Sequence, residues 1–235
     1  MRTSRLTTRE VQAHELMDDP ACDPEALRRT YQQFRVVNRL VAGWRQVYTC
    51  RLRPIMSATT TTTVLDIGSG GGDVARALAR WAGRDGLLLD ITAIDPDARA
   101  HRFAKALPPT PSVTFRQSTS AQLVAAEARF DVVISNHVLH HLDGPDLARL
   151  VDDSLGLARR LIIHNDIARS RLAYAAYAVA SRPFGRRSFI SHDGLLSIRR
   201  SYRPAELASV VGPDWHVVEQ FPYRILLLHP GSGTA

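Results

Sequence analysis

The stretch Val64-Leu65-Asp66-Ile67-Gly68-Ser69-Gly70-Gly71-Gly72-Asp73 limits what this chain can become more than any other part of it. An apolar run ends in an acid and then in four glycines. Val74, Ala75, Leu78 and Trp81 follow at helical spacing. The order is strand, turn, helix, and a turn without side chains lets a nucleotide-like ligand sit against the helix N-terminus. A second acid, Asp95, ends the next apolar run, Leu89-Asp90-Ile91-Thr92-Ala93-Ile94-Asp95. It falls about 20 residues beyond the turn, where a carboxylate that receives ribose hydroxyls is expected. A nucleoside cofactor is the reading these features support.

Two cofactor classes fit. Gly70, Gly72 and Ala75 satisfy the dinucleotide spacing G-x-G-x-x-A. Asp66, Gly68, Gly70 and Gly72 give acid-x-G-x-G-x-G instead, which resembles the first motif of the class I S-adenosylmethionine-dependent methyltransferases. Ile94-Asp95-Pro96-Asp97 looks like that family's ribose-binding segment. The run from Val113 to Thr119 looks like its third strand and adenine-contacting turn, and Phe130 to Leu142 like its fourth strand and trailing helix. The resemblance covers about Val64 to Asp166.

It implies S-adenosyl-L-methionine as cofactor. Asp66 would help hold the amino acid end, directly or through water. Gly68 and Gly70 would let the backbone pass close, and Asp95, followed by Pro96, would accept both ribose hydroxyls. Ser118 and Thr119 stand where the family often carries an acid that reads the adenine amino group, and Asn136 would lie near the methyl group. The resemblance narrows to quinone-biosynthesis-type enzymes and to bacterial methyltransferases that accompany type III polyketide synthases. Met17-Asp18-Asp19-Pro20, Arg169-Ser170-Arg171 and His192-Asp193-Gly194 carry that narrower match. It implies a small phenolic or quinol acceptor methylated on oxygen. Carbon methylation of a quinol ring is the alternative.

The remaining chain fits one α/β unit: a Rossmann-like, seven-stranded, mostly parallel sheet closed by a C-terminal antiparallel hairpin. Strands are expected near 63–67, 89–95, 112–117, 130–135 and 160–164, with a helix near 145–156. A helix from Pro204 and two close strands, Trp215 to Glu219 and Tyr223 to Leu228, make up the tail. So short a connection requires antiparallel pairing. Residues 1–57 form a helical cap, and 58–235 the cofactor domain. From the Asp23-Pro24 start, Leu27, Tyr31, Phe34, Val37, Val41, Trp44 and Tyr48 predict one amphipathic helix. The segment of about 167–202 exceeds the minimal fold. It joins an apolar helix, Leu172 to Ala180, with Phe184, Phe189 and His192, and the reading is a lid over an aromatic acceptor.

Between Arg169 and Arg203 stand eight arginines against one acid, Asp193, in a chain of net charge +7. They are expected to line the lid. The charge also raises a nucleic-acid acceptor, but Ser135-Asn136-His137-Val138 lacks the N-P-P-Y pattern of base-amino methylation, so nucleic acid is disfavoured. No apolar run reaches the ~20 residues of a membrane span, no secretion signal precedes the first helix, and Cys22 and Cys50 read as free thiols. A cytoplasmic location follows as an expectation, and a homodimer stays open. No metal is expected, because no ligand cluster stands out.

A phenol near neutral pH needs a base. Three histidines follow the fourth strand. His137 and His141 would share a helical face, with His140 beside them. His140 and His141 lead as candidates, with His192 behind.

Overall fold

A computed structural model describes residues 6–184, with the side chain of Phe184 excepted, and 187–233. Seven strands form a single sheet: β1 (Thr62–Ile67), β2 (Leu89–Asp95), β3 (Val113–Gln117), β4 (Phe130–Asn136), β5 (Ala158–Ile167), β6 (His216–Gln220) and β7 (Arg224–Pro230). Their order is β3-β2-β1-β4-β5-β7-β6. The first five are parallel, and β7 runs antiparallel to both β5 and β6. The C-terminal hairpin therefore completes the sheet as the sequence predicts, with its second strand inserted between β5 and the first.

The strands read as near-continuous apolar runs because both faces are covered. Alternate side chains feed opposite layers. Val64, Ile91, Val132, Ile134 and Ile163 pack on one face. Leu65, Ile94, Val133 and Ile162 pack on the other. The helices are α1 (Pro24–Val41), α2 (Trp44–Val47), α3 (Asp73–Arg84), α4 (Ala98–Ala106), α5 (Ser120–Ala125), α6 (Gly144–Leu157), α7 (Arg171–Ala180), α8 (Ile190–Arg200) and α9 (Pro204–Val210). α2 and α3 cover the first layer, through Trp44, Val47, Val74 and Leu78. α5, α6 and α9 cover the second, through Leu123, Leu147, Leu150 and Leu207.

The single N-terminal helix expected through Tyr48 is in fact broken. α1 stops at Val41 and Gly43 takes φ 68°, where a Cβ would lie 2.1 Å from Gln220 Nε2. The chain resumes as α2 and one turn of π-helix, Tyr48–Leu52. The apolar periodicity was real but served two partners. Trp44, Tyr48 and Leu52 enter the sheet core, while Leu27 and Tyr31 of α1 pack on Ala100 and Phe103 of α4. α1 thereby lies across the carboxyl end of the sheet. The strand order reverses at β1 and β4, which is where open α/β sheets take their ligands.

Candidate active site

A cavity of about 590 Å³ opens at this reversal. Its walls carry nine carboxylates (Glu15, Asp18, Asp66, Asp73, Asp95, Asp97, Asp146, Asp153 and Asp193) and, among the described residues, one cationic side chain that is not histidine, Arg149. A chain of net charge +7 thus surrounds an acidic hollow.

β1 delivers Asp66 to the floor, 1% exposed, and neither carboxylate oxygen has a hydrogen-bond partner. Burial, reinforced by the like charges of Asp73 and Asp95, pushes its carboxyl well above the usual carboxylate range. The turn beyond it holds Gly68, Gly70 and Gly72 at φ 68°, 53° and 76°, a region open chiefly to glycine. At Gly72 a Cβ would meet the Phe115 ring at 2.2 Å. Asp95 at the end of β2 fixes the turn. Its Oδ2 accepts from the Gly70 amide at 2.8 Å and its Oδ1 from the Asp97 amide at 2.9 Å. Lone pairs remain on both oxygens toward the cavity.

Pro96, Ser118 and Thr119 line the same wall. Thr119 caps α5 in a reciprocal pair with Gln122, and the Ser118 hydroxyl donates to Gln122 Oε1 at 3.0 Å. Both side chains are thus engaged in holding the turn. Asn136 ends β4 on the cavity wall, its Oδ1 accepting from Trp44 Nε1 at 2.9 Å and from Arg224 Nη2 at 3.3 Å.

The predicted helix after β4 does not form there. His137 takes φ 59° and a 3-10 turn spans Leu139–His141. His137 and His141 therefore share no helical face; the His137 ring stands edge-on to His140 at 5.9 Å between centroids. His137 Nε2 faces Arg224 Nη1 at 3.1 Å. Burial first, then that guanidinium, lowers its pKa well below the usual histidine value. His140 is buried, with Nδ1 donating to Asp166 Oδ1 at 2.9 Å and Nε2 lying 3.2 Å from Glu15 Oε1. Burial opposes its charge, but the two carboxylates prevail and raise its pKa to about 9. In return, against their own burial, Glu15 is held down at about 2 and Asp166 well below the carboxylate range. His141 is partly open, its ring tilted 37° against His140 at 4.2 Å between centroids, with Nδ1 3.3 Å from Asp18 Oδ2.

His192 is not brought to the cavity. Its exposed ring pairs with Asp193 at 2.9 Å, and Asp193 uses both oxygens on the amides of Leu16 and Met17. The expected arginine lining is likewise replaced by another arrangement. Arg169 is buried and donates to the carbonyls of Leu6 and Ser201 and to Glu206, while Arg203 also reaches Leu6. Arg199 pairs with Glu10, and Arg9 crosses to the carbonyls of Arg200 and Leu142. These cations bind the N-terminal segment to α8 and its flanks. Arg171, Arg182 and Arg187 are exposed, and Arg186 lies outside the described residues. Sequence reasoning missed Glu15 and Arg224. Glu15 sits in an irregular segment with no periodicity, and Arg224 reads as an ordinary strand residue.

Residues 64–161 match the family model described as a methyltransferase domain. A ubiquinone biosynthesis O-methyltransferase from Methylobacterium sp. is 34% identical over 99 residues, covering 41% of this chain and 36% of the relative. Another from Cereibacter sphaeroides is 36% identical over 83 residues, covering 35% and 32%. The match thus spans about a third of the length of these relatives. The plantazolicin methyltransferase BpumL in complex with SAH superposes with a TM-score of 0.64 at 14% identity, covering 92% of each chain. Human N-acetylserotonin methyltransferase in complex with SAM gives 0.62 at 16% identity, covering 89% of this chain and 57% of its own. At such identities the likeness is one of fold.

Proposed function

We propose that this chain, a class I S-adenosylmethionine-dependent methyltransferase, methylates the hydroxyl of a small phenol or quinol held against the Glu15–His141 end of the cavity. The observation that carries the reading is the acidic wall around a glycine-paved turn. Three carboxylates crowd the N-terminal end of α3 and would repel the pyrophosphate of a dinucleotide. They favour a ligand that is cationic at both its sulfonium and its ammonium. The same wall disfavours a polyanionic acceptor such as nucleic acid.

The residues fit the cofactor. Asp66, buried without a partner, would receive the ammonium of its amino acid end, and Gly68 and Gly70 leave room for the backbone to pass. Asp95 would accept the ribose hydroxyls, and Pro96, Ser118 and Thr119, on the same cavity wall, would border the base. When bound, S-adenosylmethionine supplies an electrophilic methyl group. The chain then has to align an acceptor, exclude water and take up a proton.

Phe34, Val37, Val41, Ile167 and Ile190 give the acceptor's ring an apolar wall. An unperturbed phenol has a pKa near 10, so its proton needs a neighbour. His141, open to the cavity with Asp18 behind Nδ1, is that neighbour, and its Nε2 takes the proton. His140, already charged between Glu15 and Asp166 near neutral pH, is a positioning residue rather than the base. Support for oxygen as the methylated atom comes from the two O-methyltransferase relatives.

The test is calorimetry with S-adenosylmethionine, its demethylated product and NAD, followed by a panel of phenols and quinols with methyl-labelled cofactor and mass analysis. The expected outcome is saturable binding of the first two alone, and a labelled methyl ether from an aromatic acceptor. Saturation by NAD with no heat from either sulfur nucleoside overturns the reading.

A further inference from the structure

The polar end of the cavity contains more than a base. Glu15, His140 and His141 place three ligand atoms within 4.8 Å of one another, and all three residues line the cavity. His140 Nε2 is 3.2 Å from Glu15 Oε1, and His141 Nε2 is 3.9 Å from Glu15 Oε2. Each ring has a second carboxylate behind it, Asp166 on His140 Nδ1 at 2.9 Å and Asp18 on His141 Nδ1 at 3.3 Å. Both Nε2 atoms are thereby turned toward one carboxylate. This is how outer carboxylates fix the tautomer of ligating histidines and raise their basicity. A separate observation points the same way. His140 is 2% exposed, yet its Nε2 has no hydrogen-bond partner, because the contact with Glu15 is too bent for one.

We infer that Glu15, His140 and His141 form a binding site for one divalent transition-metal cation at the acceptor end of the cavity. Bonds of about 2.0–2.2 Å hold ligand atoms roughly 3.3 Å apart; the His140–Glu15 contact of 3.2 Å already meets this, and the other spacings, none above 4.8 Å, would have to contract toward it. Ligation by His140 displaces the proton from its Nε2, so binding releases a proton; two imidazoles and one carboxylate then suit zinc, cobalt or ferrous ions better than magnesium, which keeps to oxygen. The neighbouring group of His137, His140 and Asp166 is also compact, but Arg224 stands 3.1 Å from His137 Nε2 and would repel a second cation. The remaining coordination positions of the proposed ion face the cavity. Its use there rests on the phenolic acceptor. An acceptor hydroxyl ligated there would have its pKa lowered and would give its proton to water, a task that in the metal-free chain falls to His141.

The test uses the full chain, stripped with a chelator and dialysed against Zn²⁺ or Co²⁺, with bound metal measured by elemental analysis and the cobalt form by visible absorption. The expected result is one ion per chain, with Glu15→Gln and His141→Ala each weakening it by at least roughly tenfold. His216→Ala, an exposed histidine on β6, leaves it unchanged. Circular dichroism checks that each variant is folded. Absence of saturable binding, or stoichiometric binding that survives both substitutions, overturns the inference. No acceptor or methyl donor is present, so a negative result leaves the methyl-transfer reading standing.

Discussion

Asp66→Asn should move stability and cofactor affinity in opposite directions. In the chain without ligand, Asp66 is a buried carboxyl with two unpartnered oxygens beside Asp73 and Asp95. An unsatisfied buried polar group costs about 1–3 kcal/mol, and a charged one more. Its raised pKa lets part of the population carry a proton, which trims that cost. The neutral amide should therefore stabilise the unliganded chain by about 1 kcal/mol, a rise in Tm of roughly 2–4 °C at this size. With S-adenosylmethionine the sign reverses. A hydrogen bond to a charged group is worth about 1.5–3 kcal/mol, so Kd should rise roughly 10- to 150-fold. The wild-type affinity should also fall as pH falls, because protonating Asp66 removes the group the ammonium needs. Calorimetric titration and thermal unfolding, each with and without cofactor, measure both effects. An Asp66→Asn chain that binds within about threefold of wild type, or melts several degrees lower when empty, refutes the reasoning.

Further outcomes follow from other parts of the fold. Gly72→Ala forces a side chain into a left-handed backbone and onto Phe115 at 2.2 Å, and should cost about 2–4 kcal/mol in urea unfolding. His164 is buried against Ser135 and Trp215, and burial lowers its pKa to about 3. The unfolded chain therefore takes its proton first, near pH 6.5. Stability from this group is complete above that pH and falls by about 2 kcal/mol between pH 7 and 5; His164→Gln should flatten that part of a urea-midpoint profile. His141→Ala should lower kcat by about 10²-fold or more with cofactor Kd unchanged, whereas His192→Ala should leave both near wild type.

The strand-turn-helix and the paired acids were legible because local chemistry alone dictates them: apolar runs, glycines at positive φ, and carboxylates at strand ends. The observed strands begin and end close to the expected positions for the same reason. What was not legible depended on tertiary contact. Gly43 broke a continuous periodicity because Gln220, far along the chain, fills the space a side chain would need. His137 adopted a left-handed backbone, which a spacing rule for helices cannot anticipate. The arginines of 169–203 were expected to line the lid, yet Arg169 and Arg203 collect backbone carbonyls of the N-terminal segment and Arg199 pairs with Glu10. The grouping of Glu15 with His140 and His141 stayed hidden because the first comes from the irregular N-terminal segment and the others from the turn after β4, far apart in the chain.

The grip of Asp193 on the amides of Leu16 and Met17, seconded by Arg9 on α8, has a consequence for redesign. On the proposed reading, the acceptor end of the cavity is built from two stretches, the N-terminal segment and α8, that interlock like a clasp. Grafting either stretch alone from a relative would leave carboxylates and carbonyls facing the wrong counterparts. Specificity in this scaffold should therefore be transplanted as a matched pair, with the glycine turn and its strands left as they are.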